Sequence, residues 1–212
     1  MYWRLGAIPS GTRFAGTQYV AARSLVFALI AASSPIIAAM ITPSGIGFVF
    51  GALLAAYLWR CHGVTGIGRL AGLTVLCGVA FNSSIFAVVL FQMAPEMFPT
   101  LATPTSVPGP TAFFLTGIFG AALISSGFLV MLPSLSSVVR LCAAIGLSAG
   151  AGGLLGLIGF VLERQSATFL PLVCMWQGGM GLVLTALAEY HARRHVPALP
   201  LSDENADPLP LA

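Results

Sequence analysis

The sequence predicts an all-α integral membrane protein built as a bundle of six transmembrane helices. Three observations carry this prediction: 58% of the 212 residues are hydrophobic, only 7% are charged, and the apolar residues fall into six long runs. A soluble domain carries about 25% charged residues, so this chain could not maintain a surface facing water. A helix satisfies its own backbone hydrogen bonds in lipid, and the runs lack the polar–apolar alternation of barrel strands.

Six spans follow one another within residues 21–192, and each suits a hydrocarbon core of about 30 Å at about 1.5 Å per residue. They are predicted at residues 23–42, 43–60, 69–93, 112–132, 140–162 and 168–190. Residues 1–20 form a cytoplasmic N-terminal segment, and the Pro-rich, acidic residues 193–212 form a cytoplasmic tail that we expect to be disordered. The first span has a second interpretation as a cleaved signal peptide, because an apolar stretch follows basic residues and precedes small ones.

Prolines mark the connections between spans. A tight turn is predicted at Thr42–Gly45, between the first two spans, and five prolines rule out a regular helix in the loop 94–111. Pro35 lies inside the first span and is expected to kink it, because proline removes a backbone hydrogen bond. The neighbouring serines Ser33 and Ser34 can then bond to the freed carbonyl groups.

The positions of the basic residues predict the topology. The chain has nine arginines and no lysine. Arg164 alone lies on one side of the six-span arrangement, and the other side holds Arg4, Arg13, Arg23, Arg60, Arg69, Arg140, Arg193 and Arg194. Cytoplasmic segments carry the excess of basic residues, so both termini are predicted to lie in the cytoplasm and the membrane to be the bacterial inner membrane. The arginines are scattered, so no nucleic-acid partner is expected.

The residue types within the spans exclude several chemistries. No Asp, Glu, Lys, Arg or His lies at the centre of a span. Ion-driven carriers usually need such a group at membrane depth, metal and haem sites need His or Cys ligands, and proteolysis needs an acid–base partner. We therefore expect a non-enzymatic protein without a cofactor or a metal. The four cysteines, which form no CxxC pair, are expected to be small buried residues. Glu189 and Arg193 are spaced for an ion pair on one helix.

Neutral polar residues near the middle of the spans are the candidates for a ligand site. Asn82 and Gln177 each have two interpretations, a hydrogen bond to a neighbouring helix or a place in the lining of a site for a small neutral solute. Serine pairs occur at a similar depth in the first, third and fourth spans. The predicted ligand-binding residues are Ser34, Asn82, Ser83, Ser126, Trp176 and Gln177.

The fifth span carries two GxxxG spacings, Gly146 with Gly150 and Gly152 with Gly156. Small residues at this spacing let two helix backbones approach closely. These four glycines are predicted to be helix-packing residues. The face that they pack against has two interpretations, another helix of the same bundle or a second copy or partner subunit.

A short internal similarity relates the two halves of the chain. FALIAASSP at 27–35 resembles FGAALISSG at 119–127, and each half holds three spans, so the halves would be oppositely oriented. Inverted repeats with interrupted helices are a feature of transporters. Two interpretations stay open, a 3+3 inverted repeat or a chance match of small and apolar residues.

Two family resemblances accompany these patterns. Six short spans in about 200 residues with an Ala-rich first helix look like the substrate-binding subunits of energy-coupling-factor vitamin transporters. A Gly/Ala-rich fifth span and the run from Phe169 through Trp176 to Met180, ahead of two arginines, are similar to six-span anti-sigma membrane proteins. The turn at 163–166 replaces the Cys-Pro turn of that family. No functional residues are transferred from either resemblance.

Together these observations predict a multi-pass inner-membrane protein that binds or transports a small neutral solute at a polar site in mid-membrane, near Asn82 and Gln177. The alternative is a structural or regulatory membrane subunit, anti-sigma-like or an assembly partner, that acts through its Gly-rich helix faces. The expected partners are the lipid bilayer and, for the alternative, a second copy of the chain or another membrane subunit.

Overall fold

The computed structural model describes residues 13–93, 110–132, 135, 137–165 and 170–194. Most of the Pro-rich loop 94–111, the tail beyond residue 194 and the first twelve residues lie outside this described part. The predicted cytoplasmic N-terminal segment, the helix-free loop and the disordered tail fall on these residues.

The described residues form six α-helices and one short 3₁₀ turn, with no strand among them. The helices are α1 (Arg13–Ile41), α2 (Ile46–His62), α3 (Ile67–Met93), α4 (Pro110–Val130), α5 (Val138–Gln165) and α6 (Leu170–Arg194), and the 3₁₀ turn is Pro43–Gly45. The all-α prediction is confirmed. Five of the helices, all except α2, are long and apolar enough to cross a membrane.

Helix α2 is the short member of the bundle. It has 17 residues, which span about 26 Å at about 1.5 Å per residue. The sequence placed this span at 43–60, but Pro43–Gly45 form a separate 3₁₀ turn and the helix ends later, at His62. Its end is fixed by Gly63, whose φ of +63° is left-handed, and by the Val64 N–H, which donates to the Leu58 carbonyl at 3.2 Å. This is the usual way in which a glycine terminates a helix.

Neighbouring helices run antiparallel and close into a ring in chain order, with α6 packed against α1. The direction is clear at α2 and α3, where Gly47 faces Phe81 and Gly51, one turn later, faces Thr74. At the junction of the ring, Gly178 of α6 faces Ala32 of α1. All six helices therefore alternate in direction, and α1 begins at the end of the bundle where α6 finishes.

The closest helix pair, α4 and α5, is built on glycine. A Cβ atom added to Gly117 would clash with the Gly152 carbonyl, and one added to Gly156 would clash with the Phe113 carbonyl. A Cβ on Gly152 would clash with the Ala121 methyl group. The GxxxG pair Gly152 and Gly156 thus packs inside the bundle, as small-residue spacings do when helix backbones meet.

The other GxxxG pair of α5 points away from the bundle. Gly146 and Gly150 are exposed, and a Cβ added to either would meet no described atom within 4 Å. The two spacings on α5 therefore serve different faces of one helix.

The 3+3 inverted repeat is not confirmed. Its second helices would be α2 and α5, which have 17 and 28 residues. The glycine-built contacts also differ, since the first half pairs its second and third helices while the second half pairs its first and second. Ser34 and Ser126, which correspond in the proposed repeat, have different partners: Ser34 reaches Gln177, whereas Ser126 bonds to its own helix.

We predict that Gly152→Ala destabilises the bundle while Gly150→Ala does not. The added methyl group overpacks the α4–α5 contact at Gly152, which typically costs about 1–3 kcal/mol. At Gly150 it enters open space and improves helix propensity by at most about 1 kcal/mol. Unfolding in mixed detergent micelles, measured for both variants, checks the difference. Equal stability of the two variants would contradict the packing described for α5.

Candidate functional site

Gln177 is the centre of a buried hydrogen-bond network that joins α1, α2 and α6. Its Nε2 donates to the Ile46 carbonyl at 3.3 Å, and its Oε1 accepts from the Ser34 hydroxyl at 3.0 Å. That hydroxyl also lies 2.8 Å from the Ala31 carbonyl and donates to one of the two acceptors at a time. The carboxamide is fully buried, and both of its ends are satisfied, as a polar group in an apolar interior requires.

Asn82, on α3, also donates hydrogen bonds to backbone carbonyl groups. Its Nδ2 donates to the Gly78 carbonyl of its own helix at 2.8 Å and to the Ser44 carbonyl at 3.2 Å. Ser44 lies in the 3₁₀ turn, two residues before the Ile46 carbonyl that Gln177 contacts. The two carboxamides singled out in the sequence thus converge on the start of α2. Their interpretation as solute ligands stays a prediction.

The start of α2 is recessed within the bundle. Beyond Asn82, α3 continues for eleven residues to Met93, which is about 16 Å at about 1.5 Å per residue. Gln177 similarly lies seven residues into α6. Irregular backbone at this depth is tolerated in membranes where protein groups surround it. Asn82 and Gln177 supply such groups.

The remaining predicted ligand residues do not join this network. Ser83 is exposed on α3. Ser126 donates to the Ala122 carbonyl at 2.6 Å and lies nearer the arginine-rich end, beside Gly127, which packs against α3 at Leu76. Trp176 is half-buried and lines a separate cleft. The six predicted residues are therefore divided among four places.

This cleft, of about 60 Å³, lies between α3, α4, α5 and α6. Its walls are mainly aromatic and aliphatic and include Phe81, Ser84, Ile85, Phe113, Thr116 and Trp176. The two hydroxyl groups already donate to their own helices, Ser84 to the Ala80 carbonyl at 2.8 Å and Thr116 to the Ala112 carbonyl at 2.9 Å. Benzene binds in an engineered cavity of about 150 Å³, so this cleft admits a few apolar atoms at its present width.

The arginine-rich end of the bundle holds an ionic cluster that joins α1, α2 and α6. Glu189 Oε1 accepts from the Tyr57 hydroxyl at 2.8 Å and lies 3.3 Å from Arg23 Nη2. The side chains of Arg23 and Glu189 are 23% and 10% exposed, so the ion pair is largely shielded. The His62 ring centroid lies 5.4 Å from that of Tyr57, and His62 Nε2 is buried without a hydrogen-bond partner among the described residues.

Sequence reasoning missed this cluster. Glu189 was expected to pair with Arg193, whose side chain lies outside the described part, whereas its described ionic partner, Arg23, is far away in the chain. The contact arises because the first and last helices are antiparallel neighbours. Opposite charges at matching ends of the first and sixth spans, Arg23 and Glu189, were the signal that could have revealed it.

The cysteines do not all follow the sequence-based expectation. Cys77 is buried and Cys61 and Cys174 are half-buried, but Cys142 is exposed, so the prediction of a buried thiol is wrong there. It lies on α5, one turn before Gly146. Within the described helices no group of three or more His, Cys, Asp or Glu is arranged to hold a metal ion.

Comparison with known protein families, curated proteins and solved structures finds no match for this chain. The resemblances to vitamin-transporter subunits and anti-sigma membrane proteins therefore stay predictions. Proposals about function rest on the contacts of the chain itself.

We predict that Tyr57→Phe and Glu189→Gln are energetically coupled. Each change weakens the same charge-assisted hydrogen bond, which is typically worth about 1.5–3 kcal/mol. Glu189→Gln also leaves Arg23 without its carboxylate partner and is expected to be the more destabilising of the two single changes. A double-mutant cycle on detergent-solubilised protein measures the coupling, expected at about 1 kcal/mol or more. Strictly additive effects would show that the hydroxyl and the carboxylate act independently.

Proposed function

We propose that this chain is a non-enzymatic, multi-pass membrane subunit that associates laterally with a second copy of itself through the outward face of α5. The observation that carries the proposal is the position of Gly146 and Gly150. Both are exposed, and no described atom lies within 4 Å of the Cβ position of either. They leave a shallow helix face to which another backbone can approach closely.

The same helix supports the proposal by its packing inside the bundle. Gly152 and Gly156 already use the GxxxG spacing to pack against α4. The outward face repeats this spacing and continues through exposed Cys142 towards the arginine-rich end. A two-fold dimer requires a self-complementary patch, and two copies of a flat glycine face meet that requirement.

The interior polar groups support a subunit more than a solute carrier. Both Nδ2 hydrogens of Asn82 have an acceptor, and both ends of the Gln177 carboxamide are bonded. A solute would have to replace these bonds, at a cost of about 1–3 kcal/mol for each buried group left unpaired. A second copy that packs on the outward face of α5 would break none of these hydrogen bonds.

The orientation proposed for the subunit places both termini in the cytoplasm of a bacterium. Alternation of the six helices groups Arg23, Arg60, Arg69 and Arg140 at one end of the bundle. Basic residues concentrate on the cytoplasmic side of membrane proteins. This end is therefore proposed to face the cytoplasm, with α2 as the sixth crossing.

Cross-linking through the native Cys142 tests the dimer. Because Cys142 lies one turn before Gly146 on the same face, we expect a short bis-maleimide to join two copies in intact membranes. Cys142→Ser is expected to abolish the cross-link, and Gly150→Leu to reduce it about tenfold or more, the effect of losing roughly 1.4 kcal/mol of association energy.

The control is the yield of the cross-link in Ile158→Leu, a conservative change at an exposed α5 position eight residues beyond Gly150. That yield should equal the wild-type yield. A Cys142 thiol that reacts fully with a monofunctional maleimide but yields no dimer would overturn the proposal. A cross-link to a different polypeptide would instead indicate a partner subunit at this face.

A second candidate function is binding of a small neutral molecule, and the cleft beside Trp176 favours it. Trp176, one of the predicted ligand residues, lines this cleft, and the surrounding phenylalanines select for an apolar ligand. The cleft would have to widen to accept a molecule as large as benzene. The candidate ligand is thus more apolar than the sequence suggested.

Val88→Phe and Val79→Phe form a matched pair for this second function. Val88 lines the cleft, whereas Val79 is exposed on the same helix. If the cleft binds a small apolar molecule, the variant at Val88 should lose xenon or benzene binding, measured by protection against thermal unfolding, while the variant at Val79 keeps it. No protection of the wild-type protein by either probe would remove the cleft as a site.

A further inference from the structure

The turn between α1 and α2 exposes polar groups at a level that is far from either end of α3. The side chains of Thr42 and Ser44 are both exposed, and their hydroxyl oxygens lie 2.7 Å apart. Asn82 Nδ2 donates to the Ser44 carbonyl at 3.2 Å. This hydrogen bond places the turn at the level of Asn82 on α3.

The level of Asn82 lies inside the hydrocarbon part of the membrane. Arg69, near the start of α3, belongs to the arginine-rich end, and Asn82 follows it by thirteen residues, or about 20 Å at about 1.5 Å per residue. A hydrocarbon core of about 30 Å then continues for about 10 Å beyond Asn82, and α3 continues through it to Met93. The turn thus lies well below the membrane surface that is opposite the arginines.

The polar groups of the turn are not fully paired among the described residues. Thr42 and Ser44 have two hydroxyl hydrogens, and the contact between their oxygens uses one of them. Asn82 uses both of its Nδ2 hydrogens, but its Oδ1 accepts no hydrogen bond from a described residue. Unpaired polar groups are costly in hydrocarbon, and irregular backbone at membrane depth requires surrounding protein or water. The exposed side of the turn is therefore expected to face water.

The bundle is closed on the other side of the turn, towards the arginine-rich end. The Gln177 carboxamide accepts a hydrogen bond from the Ser34 hydroxyl in the first layer. Ala31, Phe50 and Leu54 are fully buried in the next layer along α1 and α2. Water that reaches the turn would therefore stop there.

We propose that this turn is the floor of a water-filled recess that opens to the side of the membrane opposite the arginine-rich end. The floor presents the hydroxyl groups of Thr42 and Ser44 and the Oδ1 atom of Asn82, which carry no charge and together donate and accept hydrogen bonds. The recess therefore takes water and small neutral hydrophilic molecules, and it does not pass them across the membrane. It depends neither on the outward face of α5 nor on the cleft at Trp176, and it leaves the described hydrogen bonds of Asn82 intact.

The reactivity of introduced cysteines tests the recess in native membranes. Ser44→Cys and Ser83→Cys form a matched pair, because Ser83 adjoins Asn82 but lies on the outer face of α3, between exposed Val79 and Phe86. With a charged, membrane-impermeant methanethiosulfonate we expect Ser44→Cys to react about tenfold or more faster than Ser83→Cys, because a thiol must ionise to react and ionises in water. Intact mass counts the adducts beyond those of the wild-type protein, which has four native cysteines.

The direction of the opening is tested by applying the reagent first to intact cells and then to sealed inverted vesicles. Arg69→Cys, at an exposed position, marks the arginine-rich side, and Ser44→Cys should react from the other side. Thr42→Cys, on the same turn, gives a second reading if Ser44→Cys expresses poorly. Equal rates for Ser44→Cys and Ser83→Cys, both slow or both fast, would overturn the recess. Reaction of Ser44→Cys from the side that labels Arg69→Cys would overturn the proposed opening.

Discussion

The bundle depends on satisfying backbone hydrogen bonds at membrane depth. Helix α2 is shorter than its neighbours, so the turn Pro43–Gly45 lies about 16 Å below the end of α3. Lipid offers no hydrogen bonds to such a turn. Asn82 and Gln177 reach it from two other helices and bond to the Ser44 and Ile46 carbonyls. These two residues thus hold the short helix in place, and the ring of six can close around it.

Small residues determine how tightly the ring closes. Glycines let α2 approach α3, α4 approach α5 and α6 approach α1, because their backbones meet where a methyl group would clash. In a membrane there is little hydrophobic drive between helices, so this close packing supplies much of the association energy. The exception is α1 beside α2. There the rings of Phe27 and Tyr57 lie 5.2 Å apart, and the ion pair of Arg23 with Glu189 and the Tyr57 hydrogen bond connect both helices to α6. A crevice of about 330 Å³ stays open beside these contacts.

The sequence was sufficient to predict the helical class and the approximate spans, because long apolar runs with few charges form helices that satisfy their own backbone hydrogen bonds in lipid. It also selected Asn82 and Gln177, since a carboxamide in an apolar run needs a partner. It did not identify those partners, because Ser44 and Ile46 offer backbone carbonyls that carry no sequence signal. The GxxxG spacings of α5 predicted two faces of small residues in the same way. The sequence could not show which face contacts another helix, and the structure places Gly152, but not Gly150, against α4. The pairing of Arg23 with Glu189 required the ring closure of the first and last helices.

The geometry of the ring relates the outward faces to one another. Because the helices follow chain order around a closed ring, α5 lies across the bundle from α2. A second copy packed on Gly146 and Gly150 would therefore leave the α1–α2 side of the bundle uncovered. That side holds the ionic cluster of Arg23, Tyr57 and Glu189. The proposed dimer face and the ionic cluster are connected through α6, which packs against α5 on one side and, at Gly178, against Ala28 and Ala32 of α1 on the other.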